Sequence, residues 1–151
     1  MNDQHNSGTA IPTAWFLAAF GAVPFVTMAL AAMFAPDFSA ARLGGEAAFI
    51  GYGAVILAFM GGVRWGAALT PSLQVGAAEQ MIISVAPSLV AWLSLMTERP
   101  WSLLLLLAGF IFQGVWDVRS AHKGLLPKWF GRLRLTITAI VALSILLILF
   151  A

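Results

Sequence analysis

Long apolar segments alternate with short polar connections along most of this chain. A helix needs about 20 apolar residues to cross the hydrocarbon core of a bilayer, because each residue advances it by only about 1.5 Å. Five segments meet or approach this length, at residues 12–34, 47–69, 80–96, 101–116 and 133–151. The pattern therefore predicts an all-α fold, a polytopic membrane bundle of about five transmembrane helices.

The third and fourth segments are the least regular of the five. Segment 80–96 is short and is interrupted by Pro87, and only residues 97–100 connect it to segment 101–116. Because unpaired backbone in lipid is costly, this connection is predicted to be a tight turn at a membrane surface. A re-entrant third segment, which enters and leaves on the same side, is the alternative.

The composition of the chain agrees with a membrane location. Of the 151 residues, 61% are hydrophobic and 9% are charged, whereas a soluble domain carries about 25% charged residues. The length is enough for one domain, so residues 11–151 are assigned to a single transmembrane domain and residues 1–10 to a polar N-terminal tail. The chain has no Cys, which excludes disulfides and thiolate metal sites.

Lys and Arg are distributed unevenly between the two sides of the predicted bundle. With five spans, the N-terminus and the fourth loop share one side, together with the end of the second helix that carries Arg64. The opposite side receives only Arg42 and Arg99. Loops rich in Lys and Arg stay in the cytoplasm, so the N-terminus is predicted to be cytoplasmic. The basic residues of the fourth loop and its flanks are Arg119, Lys123, Lys128, Arg132 and Arg134.

A stripe of small residues occupies every fourth position of the second predicted helix. Its members are Ala54, Ala58, Gly62 and Gly66. In lipid, small residues let helix backbones approach closely, and the two glycines form a GxxxG pair. The stripe predicts that this helix is central and packs tightly against a partner. A partner helix within the same chain is the favoured interpretation, and a second copy of the chain is the alternative.

Few side chains at membrane depth can take part in chemistry, and most are predicted to lie near the cytoplasmic boundary. Ionisable groups in a membrane are usually paired or functional, so Asp117 is predicted to pair with Arg64 or Arg134. Gln113 precedes Asp117 by about one helical turn and shares its face. The predicted cluster, structural or ligand-binding, comprises Arg64, Ser84, Gln113, Asp117 and Arg134.

Aromatic and basic residues at the same boundary indicate contacts with lipid headgroups. In an alternative interpretation, Arg64 extends towards the headgroups beside Trp65, and Asp117 merely starts the fourth loop. In that loop, Gly124 suits a helix C-cap and Trp129 lies among basic residues. Trp65 and Trp129 are predicted to be interfacial anchors.

The sequence shows no catalytic or cofactor site. The two histidines, His5 and His122, lie outside the predicted spans, so no metal, haem or other cofactor is expected. No nucleophile, base and orienting group occur together. The partners expected are the lipid bilayer and either another membrane protein or a second copy of the chain, with no nucleic acid.

Several motifs resemble one known family of membrane proteins. They include Phe59-Met-Gly-Gly-Val-Arg-Trp-Gly66 and Pro127-Lys-Trp129 followed by Leu133-Arg134, and the most specific parts are the Gly-Gly-x-x-Trp-Gly and Trp-x-x-x-Leu-Arg stretches within them. The resemblance covers nearly the whole chain after the tail and is to the domain of unknown function 3429 family, the transmembrane protein 69-like membrane proteins. It implies a multi-pass protein of the bacterial inner membrane, with mitochondrial relatives, and it implies no particular activity.

Three classes of function remain open. The favoured hypothesis is a non-enzymatic interaction, assembly or accessory protein of the inner membrane, because the small-residue stripe suits a partner helix and no catalytic set is evident. The alternative is a binder or transporter of a small ligand, lipid or quinone-like molecule through the polar cluster. An enzyme with Asp117 as general base is the least favoured, because the sequence indicates no cavity around that carboxylate.

Overall fold

The computed structural model describes residues 4–34, 40–69 and 76–151, with side chains from residue 9 onward in the first range and from residue 44 onward in the second. Regular structure in these ranges is helical. Five spans within them are long and apolar enough to cross a membrane, which confirms the predicted all-helical membrane bundle: Thr9–Phe34, Gly44–Ala68, Ala77–Met96, Trp101–His122 and Lys128–Phe150. The helices are α1 (Gln4–Phe34), α2 (Ala40–Ala68), α3 (Ala77–Ser84), α4 (Ala86–Met96), α5 (Trp101–His122) and α6 (Lys128–Phe150).

Several helices extend beyond the apolar segments that predicted them. α5 continues past residue 116 to His122, and α6 begins at Lys128 rather than at residue 133. The added stretches include Asp117, Arg119, Lys128 and Arg132, and Lys and Arg are good helix formers even though they lower the hydropathy. α1 already begins at Gln4, inside the segment assigned to the polar tail, whose first three residues lie outside the described ranges. The side chain of Arg42, counted for the orientation, also lies outside them.

Gly124 ends α5 in the way the sequence predicts. Its φ angle is +76°, a left-handed conformation that glycine adopts without steric cost. The backbone N–H of Leu125 donates to the carbonyl of Ser120 at 2.9 Å, and that of Gly124 donates to Ala121 at 3.2 Å. This pair of bonds is the Schellman arrangement, which satisfies the last carbonyls of a helix. The prediction of a C-cap at Gly124 is therefore confirmed.

The third span is made of two helices, α3 and α4, which meet at Val85. The N–H of Val85 donates to the carbonyl of Ile82 at 3.3 Å, which tightens the last turn of α3. Pro87 lies in the first turn of α4, where its missing N–H is tolerated. The combined span Ala77–Met96 has 20 residues, so the structure supports the spanning interpretation over the re-entrant one.

The five spans form a closed ring of contacts, and a contact between α2 and α5 crosses the ring. α1 contacts α2 and α6, α4 contacts α2 and α5, α5 contacts α6, and α2 and α5 also touch each other. The apolar window of α5 is 44% buried, against 33% for that of α2. α2 therefore shares the predicted central position with α5, which is the more deeply buried of the two.

Aromatic packing joins α1, α2 and α5 in the middle of the bundle. The ring of Phe25 lies edge-on to Phe49, with centroids 5.4 Å apart, and edge-on to Phe110, with centroids 5.7 Å apart. This geometry pairs the positive edge of one ring with the negative face of the next. The hydroxyl of Tyr52 donates to the carbonyl of Gly21 at 2.8 Å, which adds a hydrogen bond between α1 and α2.

The turn between α4 and α5 is attached to two other spans through Arg99. Its Nη1 lies 2.8 Å from Oε1 of Glu46 on α2, and its Nη2 donates to the carbonyl of Ile148 on α6 at 2.6 Å. Arg99 satisfies carbonyls near the end of α6 that have no partner within the helix. Its positive charge also interacts favourably with the negative end of the helix dipole. Arg99 thus holds α2, the α4–α5 turn and α6 together at the boundary opposite the predicted polar cluster.

The predicted packing of Gly62 and Gly66 within the chain is wrong. A Cβ built on either glycine would meet no described atom within 4 Å, whereas a Cβ on Gly61 would lie 2.5 Å from the carbonyl oxygen of Ser84. Ala54 is buried as the stripe predicts, but positions four apart drift by about 40° per step around a helix of 3.6 residues per turn. The stripe therefore leaves the buried face before it reaches Gly62.

Replacing Gly61 by Ala is expected to lower the free energy of unfolding by about 1–3 kcal/mol, the usual cost of overpacking. The added methyl group would meet the backbone carbonyl of Ser84 in α3. Helix backbone cannot move away from the contact as a flexible side chain can. The matched control is Gly62→Ala, which meets open space and gains about 0.5–1 kcal/mol of helix propensity. Both variants are compared by unfolding in one detergent, and equal midpoints would contradict the close contact at Gly61.

Candidate functional site

The ends of three helices bring charged side chains together at one level of the bundle. Arg64 lies near the end of α2, Asp117 in the last turns of α5, and Arg134 near the start of α6. Asp117 lies inside α5 because that helix extends beyond its predicted end. Gln113 lies four residues before Asp117 and therefore faces the same side of the helix.

The carboxylate of Asp117 is shared between both arginines. Its Oδ1 accepts a hydrogen bond from Nε of Arg64 at 2.7 Å, and its Oδ2 accepts one from Nε of Arg134 at 2.6 Å. The side-chain amide of Gln113 approaches the two oxygens at 3.3 and 3.4 Å. The structure thus places Asp117 against both of its predicted partners at once.

Arg64 is turned inward and is almost completely enclosed. It is 1% exposed, and Asp117 is 2% exposed. Nη2 of Arg64 donates to the hydroxyl of Ser120 at 2.6 Å, and the guanidinium carbon of Arg64 lies 4.3 Å from the ring centre of Trp116. The alternative in which Arg64 extends to the lipid headgroups beside Trp65 is therefore wrong, because Trp65 is exposed and Trp116 supplies the ring under the guanidinium.

Ser120 takes the place in the cluster that the sequence predicts for Ser84. The hydroxyl of Ser84, a predicted cluster member, donates instead to the carbonyl of Met81 at 2.6 Å within α3. Ser120, which the sequence analysis missed, accepts from Arg64 and donates to the carbonyl of Trp116 at 2.8 Å. The available signal was spacing, since Ser120 follows Asp117 by three positions and shares its face once α5 is extended.

The predicted interfacial anchors have different surroundings. Trp65 is half exposed on the outside of α2. Trp129 is partly buried and packs edge-on against Phe130, with centroids 5.9 Å apart. Both side chains lie towards the same end of the bundle as the charged cluster, as an interfacial position requires. Their role as anchors in a bilayer remains a prediction.

The electrostatics of the cluster favour a structural role over acid–base chemistry. Both oxygens of Asp117 accept hydrogen bonds, and Arg64 is engaged by Asp117, Ser120 and the ring of Trp116. A general base needs a free oxygen near the proton that it removes. Two guanidinium groups against one carboxylate also leave the cluster with one excess positive charge, so it is electrically unbalanced although well hydrogen-bonded.

Replacing Asp117 by Ala is expected to destabilise the bundle by about 3–5 kcal/mol, because removing one partner leaves buried charges without compensation. Here two guanidinium groups would lose their carboxylate. Glu98→Ala is the control, since Glu98 is exposed in the turn before α5 and surface charges contribute little. The measurement is thermal unfolding in detergent, and equal shifts in the two variants would contradict the buried pairing.

Comparison with known proteins identifies the family of the chain. A family model described as "Protein of unknown function (DUF3429)" matches residues 10–150. The chain is 31% identical over 146 residues to "Transmembrane protein 69" of Xenopus tropicalis; the match covers 87% of this chain and 51% of the relative, so the chain spans about half of the relative's length. No solved structure matches it. The resemblance seen in the motifs is thereby confirmed, and the chain belongs to the DUF3429 family of membrane proteins.

Proposed function

We propose that this protein is a non-enzymatic accessory or assembly protein of the inner membrane that binds another membrane protein through the outward face of α2. One observation carries the proposal. A Cβ on Gly62 or Gly66 would meet no atom of the described residues within 4 Å, while the charged side chains of Asp117 and Arg64 are engaged with each other. The exposed members of the outward face are Val55, Phe59, Gly62, Gly66 and Leu69.

The chemistry of this face suits a helix better than it suits lipid tails. Glycine within a helix costs about 0.5–1 kcal/mol relative to Ala, and a fluid acyl chain gains nothing from the missing side chain. A second helix does gain, because van der Waals packing between close backbones is a main source of helix association in lipid. Phe59 and Leu69, which are exposed on either side of the glycine pair, supply apolar area for the same contact.

The competing hypothesis, ligand binding by the charged cluster itself, has less support. Asp117 accepts hydrogen bonds from both arginines, and Arg64 is 1% exposed. A ligand would have to displace short, charge-assisted bonds, which are about twice as strong as neutral ones. The cluster is therefore better suited to holding helices together than to exchanging a ligand.

The proposal includes a location and an orientation. The basic residues around the α5–α6 loop favour a cytoplasmic position for that loop and for the N-terminus, by the positive-inside rule. A bacterial inner membrane fits the family resemblance of the motifs. The curated relative is from an animal, so the equivalent location there would be an organelle membrane with the loop on the matrix side.

Single cysteines would report the orientation without background, because the chain has no Cys. Lys123 and Glu98 are both exposed, and they lie at opposite ends of α5. In intact cells we expect a membrane-impermeant maleimide to label Glu98→Cys fully and Lys123→Cys only after permeabilisation. The reverse labelling pattern would overturn the proposed orientation.

The partner is tested by cross-linking in the membrane before mild solubilisation. Gly66→Cys is expected to cross-link to a stoichiometric membrane-protein partner, and Gly62→Leu in the same chain is expected to reduce that product about tenfold or more by blocking close approach. Ala19→Leu is the matched control, since Ala19 is a small exposed residue on α1. A cross-linked product that contains two copies of this chain would show self-association in place of the proposed partner. The absence of any cross-linked product would contradict the proposal.

A further inference from the structure

A groove opens on the outside of the bundle between α1, α2 and α6. Its volume is about 340 Å³, within the range of roughly 300–1,000 Å³ that is typical of small-molecule sites. The side chains that line it are apolar, among them Leu17 on α1, Phe59 on α2 and Ile137 on α6, and Arg134 is the charged residue of the described lining. The groove therefore offers one cation beside an extended apolar wall.

The groove runs along the helices rather than across them. On α6 its lining extends from Phe130, near the start of the helix, to Val141. Eleven residues of α-helix span about 17 Å, so the groove reaches from the boundary region well into the apolar part of the bundle. Arg134 lies close to the boundary end. An occupant with a charged head and a long apolar tail matches this order of polarity and depth.

Charge is also unbalanced at the head of the groove. Arg134 uses its Nε to reach Asp117, whose other oxygen already serves Arg64. In the described part of the chain this is the one hydrogen bond that Arg134 makes, so its two terminal nitrogens remain available. The guanidinium carbon of Arg134 lies 5.7 Å from the ring centre of Phe130, which is part of the groove wall. A guanidinium with free donors and an uncompensated charge favours an anion, above all a phosphate or carboxylate.

We infer that this groove binds an anionic phospholipid, with the phosphate on the terminal nitrogens of Arg134 and one acyl chain along the wall formed by α1, α2 and α6. Charge complementarity selects the anionic headgroup, and the apolar wall selects the acyl chain. Lys123 and Lys128 in the neighbouring loop raise the local concentration of anionic lipid. The groove adjoins the outward face of α2 and shares Phe59 with it, but Gly62 and Gly66 are not part of its lining, and the inference does not depend on the proposed partner.

The test is native mass spectrometry of the full chain, purified in detergent and titrated with phosphatidylglycerol or with phosphatidylcholine of the same chain length. We expect one tightly retained phosphatidylglycerol and about tenfold weaker retention of phosphatidylcholine. Both lipids offer a phosphate to Arg134, but the trimethylammonium group of phosphatidylcholine offsets that charge and meets a cluster that already carries an excess positive charge. Equal retention of the two lipids would overturn the inference.

Two kinds of variant separate the groove from general surface charge. Ala18→Phe fills the groove while keeping every charged residue of the ionic cluster and is expected to abolish retention, whereas Ala19→Phe, on the exposed neighbouring position, is expected to preserve it. Arg134→Lys keeps a charge but loses the forked donor set, and is expected to weaken the preference for the anionic lipid about tenfold. Lipid retention that survives Ala18→Phe would overturn the inference.

Two further controls identify the source of the anion. The double variant Lys123→Gln with Lys128→Gln is expected to keep most of the preference for phosphatidylglycerol over phosphatidylcholine. Loss of that preference would assign the lipid to the loop surface and overturn the inferred binding in the groove. Inorganic phosphate alone is expected to leave the melting temperature unchanged. A rise equal to that produced by phosphatidylglycerol would show a free-anion site in place of a lipid groove.

Discussion

The arrangement of the bundle depends on one carboxylate, that of Asp117, held between the guanidinium groups of Arg64 and Arg134. Water cannot replace either partner inside a lipid-embedded bundle, so separating them would leave charges that are costly to bury. The pairing also fixes the rotation of α2. Gly61 lies three residues before Arg64 and faces roughly the same way, into α3. Gly62 and Gly66, two residues to either side of Arg64, point about 160° away from it around the helix axis and therefore face the outside of the bundle.

The opposite end of the bundle is held by a different device. Arg99 bridges Glu46 of α2 and the last carbonyls of α6, close to where α6 ends. A single arginine thus connects three spans at that boundary, while Arg64, Asp117 and Arg134 connect three at the other. Between the two ends the contacts are apolar and aromatic, apart from the hydrogen bond from Tyr52 to the carbonyl of Gly21. Apolar contact is largely non-directional, so the ionic groups at the ends add positional specificity to that of the edge-on rings.

Apolar length alone predicted the five spans, because the bilayer imposes the same length on every crossing helix. The spacing of Gln113 and Asp117 and the scarcity of charge at membrane depth were enough to predict the paired carboxylate. The rotation of each helix about its own axis was harder to predict from the sequence. Gly61 and Gly62 are adjacent glycines, and only the inward direction of Arg64 decides which of them meets the carbonyl of Ser84. Apolar windows also end a helix at its last apolar residue, so the window stopped one residue before Asp117 and left Ser120 outside the predicted helix.

The excess positive charge at one boundary connects the proposed orientation with the proposed lipid. Two arginines share one carboxylate there, and Lys123 and Lys128 add charge in the adjoining loop. An uncompensated guanidinium at membrane depth is stabilised when an anion lies beside it, since the Coulomb energy rises as the local dielectric constant falls. The cytoplasmic leaflet is the one that carries negative surface charge. The orientation favoured by the positive-inside rule is therefore also the one that brings the more anionic headgroups to Arg134, whereas the reverse orientation would place the same excess charge against the less anionic leaflet.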